Sequence, residues 1–135
     1  MPQMIFVNLP VKDLERSRNF YAKLGYTQNA QFSDDKCASF VVSETIHVML
    51  LVEERFKDFT PKQITDTATS TEVLLCLSAE SRDAVDAIVE TALAAGGSAH
   101  GEPQDHGFMY GRDFQDPDGH IWEHMWMDPA AVEQG

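Results

Sequence analysis

Only two residues of this chain are cysteine, Cys37 and Cys76, and they lie far apart with no Cys-x-x-Cys spacing. Neither a disulfide framework nor a sulfur-rich zinc site is therefore expected, and both are read as buried, reduced thiols. Positive charge is also scarce: ten Lys and Arg stand against 22 Asp and Glu, for a net charge of −12. Such a chain repels a phosphate backbone, so nucleic acid is not an expected partner. Long apolar runs are missing too. Val48–Val52 and Val73–Leu77 span five residues each, far below the roughly 20 that cross a bilayer. Membrane insertion is not expected. The opening Met-Pro-Gln-Met-Ile-Phe-Val lacks the basic start and long apolar stretch of a secretory signal, which makes the cytoplasm the expected location.

What is present is enough apolar material for a core. Hydrophobic residues make up 43% of the 135 residues and charged ones 24%, the balance of a globular protein rather than a disordered one. One domain over 1–135 is expected.

The same order of elements occurs twice. Ile5–Val11 alternates as a strand with Val7, Leu9 and Val11 on one face, and Pro10 marks its end as an edge or exit. Asp13 is placed to cap a helix carrying Leu14, Ser17, Phe20, Tyr21 and Leu24 on one side, with Gly25 to stop it. Cys37–Val42 and Ile46–Val52 then form a hairpin around Ser43-Glu44-Thr45. In the second half Glu72–Leu77 reads as a strand. Ser81 caps a helix with Val85, Ile88, Val89, Ala92 and Leu93 on one face, and Gly96-Gly97 ends it. Strands near Met109–Gln115 and His120–Met127 follow, joined by the turn Asp116-Pro117-Asp118-Gly119. Between the halves, Phe56–Ser70 reads as a linker or a lid. Two such modules, about 4–55 and 71–128, each bury one sheet face under a helix, an α+β arrangement.

Val11-Lys12-Asp13-Leu14-Glu15-Arg16-Ser17 with Phe20-Tyr21 and Leu24-Gly25, together with Gly111-Arg112-Asp113-Phe114-Gln115-Asp116-Pro117-Asp118-Gly119-His120-Ile121-Trp122-Glu123, resembles the vicinal oxygen chelate superfamily over about 4–128. That superfamily includes glyoxalase I, bleomycin resistance proteins and extradiol dioxygenases. The resemblance implies two βαβββ modules whose mixed sheet curves into a cup with helices outside, in which two ligands from each module hold a divalent metal. It places the four ligand positions at Phe6, Met49, Glu72 and Glu123. Phe6 has no lone pair, and a thioether suits a hard ion poorly.

If Glu123 faces the cup, alternation puts Ile121 and Met125 beside it and turns His120, Trp122, His124 and Trp126 away. The same parity places Phe6, Asn8, His47, Met49, Leu51, Glu72, Leu74 and Cys76 on the cup side. Burying Glu123 unpaired among apolar neighbours demands a cation, a proton or a hydrogen-bond donor, which makes it the candidate catalytic residue. Candidate metal ligands are Glu72, Glu123 and His47. The candidate substrate pocket comprises Phe6, Asn8, Met49, Cys76 and Arg112. For Arg112 two roles stand open, gripping a substrate carboxylate or pairing with Asp113 or a helix acid. Gly101–Gly107 reads as a mobile loop.

The leading expectation is a protein that binds a small organic molecule without a complete metal site, resembling the bleomycin resistance branch. The alternative is a lyase or oxygenase in which Glu72 and Glu123 hold Mg²⁺, Mn²⁺, Ni²⁺ or Zn²⁺, one carboxylate doubling as proton-transfer base. A homodimer is expected from sheet edges left open near Pro10.

Overall fold

The computed structural model describes residues 2–133, which divide between Ser70 and Thr71 into two compact units. Each is built around one four-stranded mixed sheet.

In module one, β1 (Ile5–Val11) leads into α1 (Leu14–Lys23). The Asp13 side chain accepts the Arg16 amide proton at 3.1 Å and so satisfies one of the helix's orphan donors. Glu15 in the first turn and Lys23 in the last suit the helix dipole. The helix stops where Gly25 takes φ +99°, a left-handed conformation that a side chain disfavours. Next come β2 (Thr27–Gln28), a 3₁₀ turn at Ala30–Phe32, β3 (Cys37–Val41), β4 (Ile46–Val52) and the short α2 (Glu53–Phe56). The sheet order is β1-β4-β3-β2, with β1 parallel to β4. Phe20 and Tyr21 of α1 are buried with Phe40, Val48 and Leu50 of the sheet. Tyr21 packs 6.1 Å from Phe40 between ring centres.

Module two repeats the plan. β5 (Leu74–Ser78) is followed by α3 (Arg82–Ala94), whose Ser81 cap accepts the Ala84 amide at 3.0 Å. Then come β6 (Gln104–Asp105), β7 (Met109–Gln115), β8 (Ile121–Met127) and α4 (Pro129–Glu133). The order β5-β8-β7-β6, with β5 parallel to β8, reproduces that of module one. Val85, Val89 and Ala92 of α3 are buried, as are Phe114 and Trp122 of the sheet. The β7–β8 turn is tied by Asp116, whose Oδ1 accepts the amides of Asp118 and His120, both at 2.9 Å. Gly119, at φ +89°, completes it.

Three expectations need correction. Gln104–Asp105 pairs with β7 as an edge strand, so the segment read as a mobile loop is partly fixed in the sheet. The second module's first strand begins at Leu74 rather than Glu72. Of the two thiols, Cys37 is buried but Cys76 is exposed, because it lies on the side of β5 with Leu74, which is 55% exposed.

Candidate functional site

On module one's face away from α1, the alternation of β1 and β4 gathers four of the candidate residues. Phe6 is in register with His47, and Asn8 with Met49. The Phe6 and His47 rings stack at 4.9 Å and 16°. Asn8 turns back on its own strand, its Nδ2 donating to the Phe6 carbonyl at 3.2 Å. The Nε2 of His47 is buried and has no hydrogen-bond partner among the described residues.

On module two's face away from α3, strand pairing builds a grid. Met109 is in register with Met127, Gly111 with Met125, and Asp113 with Glu123, which neighbours Cys76 across β5. A cleft of about 290 Å³ opens over this grid, with Met109, Gly111, Asp113, Glu123 and Met125 along its floor and the segment from Gly101 to His106 beside it. Asp113 is fully engaged: one oxygen accepts the Gly101 amide at 2.8 Å and the other meets His100 Nδ1 at 2.7 Å. Glu123 differs. It is half-buried, and its carboxylate accepts no hydrogen bond from the described residues. Partial burial and the Glu123 charge together push the Cys76 thiol above the usual range.

Arg82 of α3 ties down the segment that supplies Gln104 and His106 to the cleft. It donates to both oxygens of Asp105 at 2.9 and 2.8 Å and to the Gly107 carbonyl at 2.9 Å. Its guanidinium also lies over Tyr110 and Trp126, at 5.1 and 5.3 Å from the ring centres. The hydrogen bonds from Arg82 and Gly107 keep the Asp105 carboxyl well below the usual carboxylate range.

Two candidates lie elsewhere than expected. Arg112 alternates onto the α3 side, where it donates to Asp86 and Glu90, each at 3.0 Å, while Tyr110 donates to Asp86 at 2.6 Å. Its guanidinium is thus engaged by the helix acids, while Arg112 still contributes to the lining of the cleft. Glu72 precedes the strand, so alternation does not govern it. Its Oε1 instead meets Nδ1 of His120 at 2.7 Å, an imidazole only 1% exposed. His124 points to the α3 side as alternation requires and stacks on Phe114 at 5.6 Å. Its Nδ1 lacks a partner among the described residues, and burial pulls its pKa down to about 4.

Asp113 and Gly111 were not singled out as site residues, yet the signal was present. Counting back from the Asp116–Gly119 turn pairs Gln115 with Ile121, and hence Asp113 with Glu123 and Gly111 with Met125.

The model of the Glyoxalase/Bleomycin resistance protein/Dioxygenase superfamily matches residues 3–124. The chain belongs to this superfamily. A comparison with curated proteins gives no match. Among solved structures, a hypothetical protein from S. aureus is 28% identical, covering 93% of this chain and 94% of its own with a TM-score of 0.77. A glyoxalase/bleomycin resistance protein/dioxygenase family enzyme from Burkholderia phytofirmans PsJN is 16% identical over 93% of this chain and 99% of that one, at a TM-score of 0.78. The fosfomycin resistance protein FosX from Mesorhizobium loti is 15% identical over 98% of both chains, at 0.69. At these last two identities the likeness is one of fold, and a fold hosts many chemistries.

For a superfamily member a divalent metal is the implied cofactor, and the donors present do not fit one. Phe6 contributes no lone pair and Met49 a soft thioether. Glu72 has an oxygen committed to His120. Among the described residues, no three of His, Cys, Asp and Glu converge as a metal-holding group.

Proposed function

We propose that this superfamily member binds a small organic molecule in the module-two cleft, with Glu123 as its polar anchor and without a resident hard metal ion. The reading is carried by Glu123: a half-buried carboxylate on the floor of a cleft, accepting no hydrogen bond from the described residues. Such a group keeps acceptor capacity that a ligand's donor can take in place of water. The cleft's volume sits near the lower end for small-molecule sites. We further propose that residues 56–70 link two modules of one domain, and that the chain acts as a cytoplasmic homodimer. The outer edge of β1, beside exposed Ile5 and Phe6, supports such pairing.

A thermal-shift and NMR screen of a small-molecule library, run on wild type and Glu123→Gln, tests the binding reading. Hits should perturb resonances of the cleft floor and lose about tenfold or more in affinity in the variant, with little change in its melting temperature. Elemental analysis should find well under one equivalent of metal. A stoichiometric metal that survives dialysis and disappears in Glu72→Ala and Glu123→Ala would replace this reading with a metal-dependent lyase or oxygenase.

A further inference from the structure

Gly111 sits in the middle of β7, where glycine weakens a strand by removing a packing side chain and widening the unfolded ensemble. Two reasons intrinsic to a chain can justify that. One is a left-handed backbone, but the positive-φ glycines are Gly25, Gly96, Gly107 and Gly119, and Gly111 is not among them. The other is close approach of the chain to itself. An added Cβ at Gly111 would meet only the His124 carbonyl oxygen at 3.4 Å and the Met125 Cβ at 4.0 Å, contacts that admit a side chain. Gly111 thus carries a local cost that neither conformation nor packing explains, and it lies on the cleft floor. A remaining reason for bare backbone in a strand is the close approach of something outside the chain.

We infer that Gly111 is the specificity-determining residue of the cleft, and that the ligand is a ring-bearing amine whose flat body rests on the exposed Gly111 backbone. This rests on the binding role proposed above. The chemistry of the grid sets the polarity of the ligand. At one end Met109 and Met125 offer polarisable, adaptable contacts that suit the face or edge of a ring. At the other, Glu123 has unfilled acceptor capacity beside the already satisfied Asp113. An ammonium group there gains a charge-assisted hydrogen bond. An anion would meet the carboxylates of Glu102, Asp113 and Glu123 against the single imidazole of His106, and the guanidinium of Arg112 is spent on Asp86 and Glu90. The cleft therefore selects against phosphonates and carboxylates.

The test is an NMR titration with three probes of matched ring, benzylamine, benzyl alcohol and benzylphosphonate, on wild type, Gly111→Ala and Gly111→Val. In wild type, benzylamine should shift the Gly111 amide and Met125 methyl resonances at about tenfold lower concentration than benzylphosphonate, with benzyl alcohol between them. Gly111→Ala should weaken benzylamine binding, and Gly111→Val should abolish it, while the melting temperature of each stays at or above that of wild type because both fit the strand better than glycine. The inference falls if Gly111→Val binds benzylamine as wild type does, if benzylphosphonate binds as tightly as benzylamine, or if both variants lose melting temperature, which would make the glycine structural. In those cases wild-type binding still upholds the cleft as a ligand site. If neither these probes nor library compounds shift any cleft resonance of wild type, the binding role falls as well.

Discussion

The two modules share a topology down to strand order and the parallel pairing of first and last strands, yet their helix-free faces carry different chemistry. Module one presents Phe6, Asn8, His47 and Met49, with the two rings stacked on each other and Asn8 bonded to its own strand. Module two presents Gly111, Asp113, Glu123 and Met125 around a cleft. The helix-covered faces both pack aromatic and branched side chains against one amphipathic helix, to which module two adds the buried His124 and the bonds of Tyr110 and Arg112 to acids of α3. The fold is thus specified by one side of each sheet, and the other side is free to vary. That separation makes the two faces respond differently to substitution.

The largest effects belong to the covered faces. Phe40 in module one and Trp122 in module two are 0% and 2% exposed, and truncating either to alanine removes transfer energy and leaves a cavity. Each should cost about 3–5 kcal/mol in chemical denaturation. Costs of similar size in both modules would support equivalent cores. A loss below about 1 kcal/mol for one of them would show that its module does not depend on the helix-facing layer, and the comparison would break there.

A second difference concerns acid. Both histidines among the buried residues, His120 and His124, lie in module two. Burial holds the folded-state pKa of His124 near 4, whereas in the unfolded chain it returns to about 6.5. Between those values the unfolded state takes up a proton that the folded state refuses. Stability from this group is therefore complete above about pH 6.5 and is lost as pH falls toward 4, by up to about 3 kcal/mol. The carboxyls of Asp86 and Asp105, depressed by their hydrogen bonds, titrate at lower pH. His124→Phe should flatten the loss between pH 6.5 and 4.5, keep the stack on Phe114, and add about 1 kcal/mol at pH 7 by removing the unpartnered Nδ1. Urea melts across that range measure it, and an unchanged pH slope in the variant would refute the assignment.

Much of this was legible in the sequence, for reasons particular to certain residues. Asp13 and Ser81 declared the helix starts because a side-chain oxygen before an amphipathic run has one favoured use. Asp116–Gly119 fixed the β7–β8 register, since only one pairing follows from a turn of that length. What alternation could not reach were residues outside regular strands. Glu72 falls two positions before β5, so its direction is set by His120, a contact 48 residues away that local pattern cannot anticipate. Arg82 and the short β6 were missed for the same reason, because a two-residue strand has no periodicity and its anchor sits on a distant helix. Arg112 was ambiguous in sequence, and the acids of α3 resolve it.

The smallest effect separates the two cysteines. Burial raises the Cys37 thiol, with Asp34 adding to it, and its Sγ donates to the Phe32 carbonyl at 3.6 Å. Cys76 is raised by partial burial and then by Glu123, but it is exposed. Since the thiolate is the reactive form, both should alkylate more slowly than a free thiol at pH 8, with Cys76 reacting ahead of Cys37 because a reagent can reach it. Glu123→Gln removes a charge beside Cys76 and lowers its pKa, so its rate should rise by roughly twofold to fivefold, the modest gain expected for a partly solvated and screened charge. Cys37, in the other module, should not respond. Iodoacetamide kinetics followed by peptide mass spectrometry give both rates in one experiment. An unchanged Cys76 rate would mean that the Glu123 charge does not reach the thiol across the β5–β8 pair. Acceleration of both cysteines would show instead that the substitution loosens the protein, and the two faces would no longer be independent.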